Sequence, residues 1–126
     1  MADTVYVLDD GMDIITNRSK GSGTEPKWIG WGTGTTAAAV DDTGLETASA
    51  EDRTECTTTR QTTNVTNDTY RAVGLITSLS AQTISEVVQF DAVTAGNAYL
   101  RGTFTGIPLG IGDSIQFTID SEFDQA

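Results

Sequence analysis

From Ala81 to Ile119 apolar and polar residues alternate with a period of two. Ile84, Glu86, Val88 and Phe90 fall on one side of such a run, with Ser85, Val87 and Gln89 on the other. Ala98, Leu100, Gly102 and Phe104 alternate with Tyr99, Arg101, Thr103 and Thr105, and Ile115, Phe117 and Ile119 alternate with Ser114, Gln116 and Thr118. Successive side chains on a strand point to opposite faces, so the pattern predicts three strands with one face buried. The intervening Thr94-Ala95-Gly96-Asn97 and Gly110-Ile111-Gly112-Asp113 contain residues that tolerate tight-turn backbone angles.

Upstream the pattern is weaker. Tyr70 to Leu79 reads as a strand with Val73, Leu75 and Leu79 on one face, and Asn67-Asp68 as the turn before it. Thr54 to Thr66 is rich in a β-branched residue and reads as another strand. Ala37 to Ala50 is expected to be largely irregular, with a single helical turn around Ala48 to Arg53. Two apolar bursts near the start, Val5 to Leu8 and Met12 to Ile15, flank Asp9-Asp10-Gly11. They read either as a hairpin on an Asp-Gly turn or as an extended arm. Asn17 to Pro26 is a polar, Gly/Ser-containing loop. The expected architecture is therefore all-β: an antiparallel β-sandwich or open barrel over 27–126, preceded by an N-terminal arm or hairpin and loop over 1–26.

Composition agrees with one domain of this class. The chain has 126 residues, 37% of them hydrophobic, with 13 Gly and 2 Pro, and about one residue in six is Thr. The net charge of −11 argues against a nucleic-acid partner, because phosphates demand clustered Lys and Arg, and the seven basic residues are scattered. It equally disfavours anionic membranes. The single Cys56 precludes an internal disulfide. The first residues lack the basic start and apolar run of a signal peptide, which predicts synthesis and folding in a cytoplasm.

Candidate chemistry is sparse. With no His, the commonest general base, metal ligand and nucleophile partner is missing. Cys56 could be nucleophilic beside Arg53 or Arg60, but in a Thr-rich strand it is expected to be a small packed or half-exposed side chain. Glu86 is the best candidate for carboxylate catalysis, since it shares a face with Ile84, Val88 and Phe90. A carboxylate paired with Arg71 or Arg101 for structural purposes explains it better. The acidic groups Asp9, Asp10, Asp13 and Asp120, Glu122, Asp124 do not match an EF-hand spacing and read as solvated. No cofactor, metal or catalytic residue is expected, and the chain is predicted not to be an enzyme. Trp28 and Trp31, set among glycines, either cap the end of a β core or anchor a protein interface with Tyr6 and Tyr99.

Several stretches resemble small structural proteins of tailed bacteriophages. They are Trp28-Ile29-Gly30-Trp31-Gly32-Thr33-Gly34-Thr35, then Asp42-Thr43-Gly44-Leu45-Glu46 and Arg53, then Ile84-Ser85-Glu86-Val87 with Phe90-Asp91. Leu100-Arg101-Gly102-Thr103-Phe104 and Gly112-Asp113-Ser114-Ile115-Gln116-Phe117 complete the likeness, which spans residues 28 to 120; Val88 stands where the family commonly has Gly. The resemblance implies a non-enzymatic virion protein; the short chain with no long helical or fibrous repeat, and an acidity ill suited to a place facing packaged DNA, favour one that decorates, or cements, the outside of a capsid. Its partner would be the major capsid protein and its own state a homo-oligomer, a trimer or dimer. Contacts would come from Tyr6, Val7 and Leu8 in the arm and from Trp28 and Trp31. A tail, neck or baseplate component is the alternative within the same family, and a carbohydrate-recognising β module with a Trp platform is the alternative outside it.

Overall fold

Strand period, broken at a few identifiable residues, explains the architecture. The computed structural model describes residues 3–125. In chain order the elements are β1 (Thr4–Val7), α1 (Asp9–Ser19), β2 (Trp28–Gly32), β3 (Thr54–Glu55), β4 (Thr57–Gln61), β5 (Thr69–Thr77), β6 (Gln82–Phe90), β7 (Ala98–Leu109) and β8 (Ser114–Glu122). They form two antiparallel sheets, one ordered β1-β7-β6-β2-β3 and the other β4-β5-β8. This is the expected all-β, sandwich-like fold. Between the sheets, Ile29, Trp31, Ile84 and Val87 of the larger meet Ala72 and Ile76 of the smaller, with Phe104, Ile115, Phe117 and Ile119 packed around them. β8 shows the pattern most clearly, with half-buried Ile115, Phe117 and Ile119 alternating with exposed neighbours.

The larger sheet is covered on its second face too. Leu8, Val88, Phe90 and Ala98 form a cluster there with Trp28 and Leu45. β6 can serve both cores because its pairing with β7 shifts register between Ile84 and Glu86. An irregularity of this kind reverses which residues face inward. Ile84 therefore lies in the inter-sheet core with Val87, while Glu86, Val88 and Phe90 occupy the opposite face, so the common face expected for all four ends at this bulge.

Four other expectations are corrected. Residues 4–16 form neither a hairpin nor a free arm. β1 pairs with β7 from Thr4↔Thr103 to Val7↔Leu100, and Asp9-Asp10-Gly11 opens α1 rather than a turn. Asp9 and Asp10 suit a helix N-terminus and Arg18 its C-terminus. Gly11 lets the helix lie against β7, since a Cβ there would strike the Tyr99 carbonyl oxygen. On β5 the inward residues are Ala72, Gly74 and Ile76, whereas Leu75 is exposed, as is Leu79 just beyond the strand. The small residues are inward because a Cβ at Gly74 would come within 2.8 Å of Ile29 and 2.9 Å of the Cys56 sulfur. The Thr-rich strand is cut at Cys56, so that β3 joins one sheet and β4 the other. Around Ala48 there is no helical turn but an isolated bridge to Gly32.

The turn at Asn67-Asp68 forms as expected, with Asn67 at φ 60°. Asp68 organises it, accepting the N–H groups of Thr63, Asn64 and Val65 at 2.8, 2.9 and 2.8 Å and the Thr69 hydroxyl at 2.8 Å. These donors, the Thr63 and Val65 amides foremost, hold the Asp68 carboxyl well below the usual carboxylate range. A carboxyl whose pKa falls on folding contributes stability above its unfolded pKa, about 3.9, and loses it as pH drops further. Urea unfolding at pH 7 and pH 3 is expected to show lower stability in acid, and Asp68→Asn to reduce the difference. An unchanged pH dependence in that variant would count against the assignment.

Candidate functional site

The densest polar construction lies on the outer face of the larger sheet, around Glu86. β6 places Glu86 and β7 places Arg101 on that face, both essentially inaccessible to solvent. The Arg101 Nε donates to Glu86 Oε1 at 3.1 Å. Three backbone N–H groups complete the carboxylate: Gly34 and Thr47 donate to Oε2 and Glu46 to Oε1, each at 2.8 Å. Arg101 also reaches outward, Nη1 donating to Asp42 Oδ2 at 2.9 Å, and that oxygen accepts the Ala39 N–H as well. One buried charge pair thus holds the whole segment from Gly34 to Thr47 against the sheet. Arg71, the other partner considered for Glu86, instead forms a two-pronged pair with its cross-strand neighbour Asp120 at 2.8 and 3.0 Å.

This network accounts for the glycines of Trp28 to Thr35. A Cβ at Gly32 would fall on the Thr47 carbonyl oxygen and lie 2.6 Å from Glu86 Oε2, and one at Gly34 would lie 2.5 Å from the same oxygen. Gly32 and Gly34 are needed for close approach to a carboxylate, not for unusual backbone angles near the Trp rings. Residue types showed only that Glu86 would pair with Arg71 or Arg101. The loop amides that saturate Glu86 leave no mark in the sequence except those glycines.

A second carboxylate pins the other end of the loop. Glu51 accepts the Trp31 indole N–H at 2.8 Å, the Leu79 N–H at 2.8 Å and the Gln82 amide at 3.0 Å. Burial opposes ionisation of Glu51, yet these donors outweigh it and keep the carboxyl below its usual range. Arg53 lies over the Phe90 ring, 3.4 Å from its centroid, and donates to the Ala92 and Ala95 carbonyls. It thereby locks the β6–β7 turn in which Ala95 and Gly96 have positive φ.

The proposed contact residues separate. Trp28 and Trp31 are three apart and so face opposite sides of the sheet. Trp31 is 1% exposed and packs edge-on against Phe117, with ring centroids 6.5 Å apart. Leu8 is fully buried beneath the helix start. Neither can touch a partner in this fold, because the N-terminal segment is built into the sheet and the tryptophans follow strand alternation. Tyr6 is 45% exposed on the outermost strand, and Val7 and Trp28 are half-buried.

Little reactivity remains. The Cys56 thiol is buried in the inter-sheet core, and burial, with a smaller contribution from Glu55, pushes it up to about 11. Among the described residues no three acidic, His or Cys side chains converge as metal ligands, and no helix is long and apolar enough to cross a membrane. Several cavities open at the surface among the described residues. One of about 410 Å³ between α1 and the smaller sheet is lined by Ile14, Ile15, Pro26, Tyr70, Tyr99 and Phe123 among others. A more polar one of about 540 Å³ sits over the Asp42–Arg101 pair. Comparison of the chain with protein-family models, with curated proteins and with solved structures finds no match.

Proposed function

We propose that the chain is a non-enzymatic adhesive module of a tailed-phage particle, a decoration protein that binds the outside of the assembled capsid and bridges subunits of the major capsid protein. The observation that carries this reading is the state of Glu86. The one carboxylate placed for chemistry has its oxygens occupied by Arg101 and three loop amides, so it serves rigidity. The resemblance over residues 28 to 120 supplies the virion context, and the acidity of the chain suits an outward location better than one facing packaged DNA. Such a protein acts by mass action, stabilising the assembled shell because it binds that state and not free subunits. Exposed Tyr6 and Val5 on the edge strand β1, with half-buried Val7 and Trp28, are the contact residues this fold leaves available. The carbohydrate reading loses its platform, since Trp31 is in the core.

Purified protein mixed with capsids of the phage that encodes it is expected to pellet with assembled heads and not with free capsid subunit. Tyr6→Asp is expected to weaken that binding at least about tenfold, the equivalent of 1.4 kcal/mol. Labelled protein found only on tails or necks would favour the tail-component reading, and absence from the particle would overturn both.

A further inference from the structure

The two sheets close unequally. Three strands face five, and the larger sheet runs on past β8 at β7 and β1. A seam of about 320 Å³ opens there, with Val5, Val87, Gly102 and Phe104 on its floor and Phe117 and Ile119 of β8 on its wall. Val5, Gly102 and Val87 lie in one row across the larger sheet. A Cβ at Gly102 would meet Val5 and Val87 at 3.5 Å each, an ordinary contact distance, so the glycine leaves a hollow that an apolar group can enter. Val5 is 61% exposed because no strand of the smaller sheet lies over it. α1 closes one end of the seam, where Ile14 and Tyr99 pack with Ile119.

The wall of this seam is also the least guarded sheet edge. The edge strands β1, β3 and β4 have four, two and five residues, whereas β8 has nine. It pairs with β5 without a register shift from Thr77↔Ser114 to Thr69↔Glu122, and it contains no Pro, Gly, Lys or Arg. Shortness, bulges, Pro and Lys are the usual means of keeping an edge from pairing, and β8 has none of them. Only alternate residues of an antiparallel strand bond to its neighbour, so every second N–H and C=O of β8 points along the seam. The charges here are acidic: Asp3 and Asp120 line the seam and Glu122 ends the strand. Arg71, one strand away, is committed to Asp120, which leaves Asp3 and Glu122 with no basic partner among the described residues.

We propose that the seam takes an extended segment of a different protein, hydrogen-bonded to β8 as a fourth strand of the smaller sheet. Its alternate side chains would be small and apolar, turned onto Val5 and Gly102, with Lys or Arg between them facing Asp3, Asp120 and Glu122. A strand laid about 4.8 Å beyond β8 supplies the missing cover for β1 and β7. Addition of this kind draws affinity from main-chain bonds and selectivity from every second side chain. A second copy of the chain fits poorly, because β8 against β8 would set acidic strands side by side between bodies of −11 each. The inference goes beyond the capsid reading, which places contact residues on β1 without giving the form of what they meet. Peptide binding by a protein that ignores capsids would reject only that reading, and capsid binding that leaves the seam open would reject only this one.

Fluorescence anisotropy with the capped peptide Lys-Val-Lys-Val-Lys-Val-Lys tests the proposal. A dissociation constant on the order of 10–100 μM is expected, weakened at least about tenfold when Glu replaces each Lys. Methylating backbone nitrogens separates pairing from charge attraction. Either the Val or the Lys amides face β8, so methylating one set is expected to weaken binding at least about tenfold while methylating the other leaves it nearly unchanged. Val5→Lys should weaken the probe similarly, while Val65→Lys, the same added charge on an exposed valine elsewhere, changes it less than about twofold. Amide hydrogen exchange is expected to slow at alternate β8 residues when the probe is bound. The proposal is overturned by a probe that stays free at about 1 mM, by two methylated peptides that bind alike, or by protection away from β8. The same protection in the protein alone, rising with its concentration, would give the seam to a second copy and overturn it too.

Discussion

Glu86→Ala is expected to cost about 5 kcal/mol or more, much or all of the 5–15 kcal/mol that holds a typical domain folded. Removing one member of a buried ion pair costs about 3–5 kcal/mol, because the other charge is left without a partner. Arg101, 2% exposed, would be that orphan. Three amide donors, from Gly34, Glu46 and Thr47, would lose their acceptor as well, each worth about 1–3 kcal/mol if it stays dry. Water entering the opened loop recovers part of this, so the terms do not simply add. Glu86→Gln keeps the shape but turns an amide NH₂ toward N–H donors, and is expected to cost about 2–3 kcal/mol. Urea unfolding measures both, and Glu86→Ala/Arg101→Ala should cost less than the sum of its single changes by at least about 1 kcal/mol. A Glu86→Ala protein within 1 kcal/mol of wild type would show that the pair does not hold the loop.

The second large effect is expected at Trp31. Truncation to Ala removes the largest side chain of the inter-sheet core and should cost about 3–5 kcal/mol. It also deprives Glu51 of the indole N–H, one of the donors that keep its carboxylate stable in a partly buried position. Trp31→Phe restores most of the volume but not the donor, and is expected to fall between the two at about 1–2 kcal/mol. Since Trp31 is inaccessible, any loss of partner binding in Trp31→Ala should disappear at temperatures where the variant is fully folded. A variant with wild-type stability and no binding would return Trp31 to the surface.

What could be read in advance divides along a physical line. Alternation along 114–122 was legible because β8 has one face covered and the other in water, so each residue type reports its own side. β6 was harder. It is buried on both faces, and the bulge after Ile84 changes parity in a way that no residue type announces. On β5 the largest aliphatics misled, because the face that packs closest is the one that must be small, at Ala72 and Gly74. The helix was hidden because eleven residues containing Gly, Thr and Asn are marginal alone and gain their stability from contact with β7. At the site, opposite charges on neighbouring strands made Glu86 and Arg101 a readable pair. The choice of Arg101 over Arg71, and the loop amides around Glu86, depend on strand order and loop path.

The placement of Cys56 between the sheets has a practical corollary. The lone sulfur is walled in by Ile29 and the backbone of Gly74, so alkylating reagents reach it when the two layers part. Its labelling rate is thus a clock for how often the sandwich breathes, readable by mass spectrometry without any engineered probe.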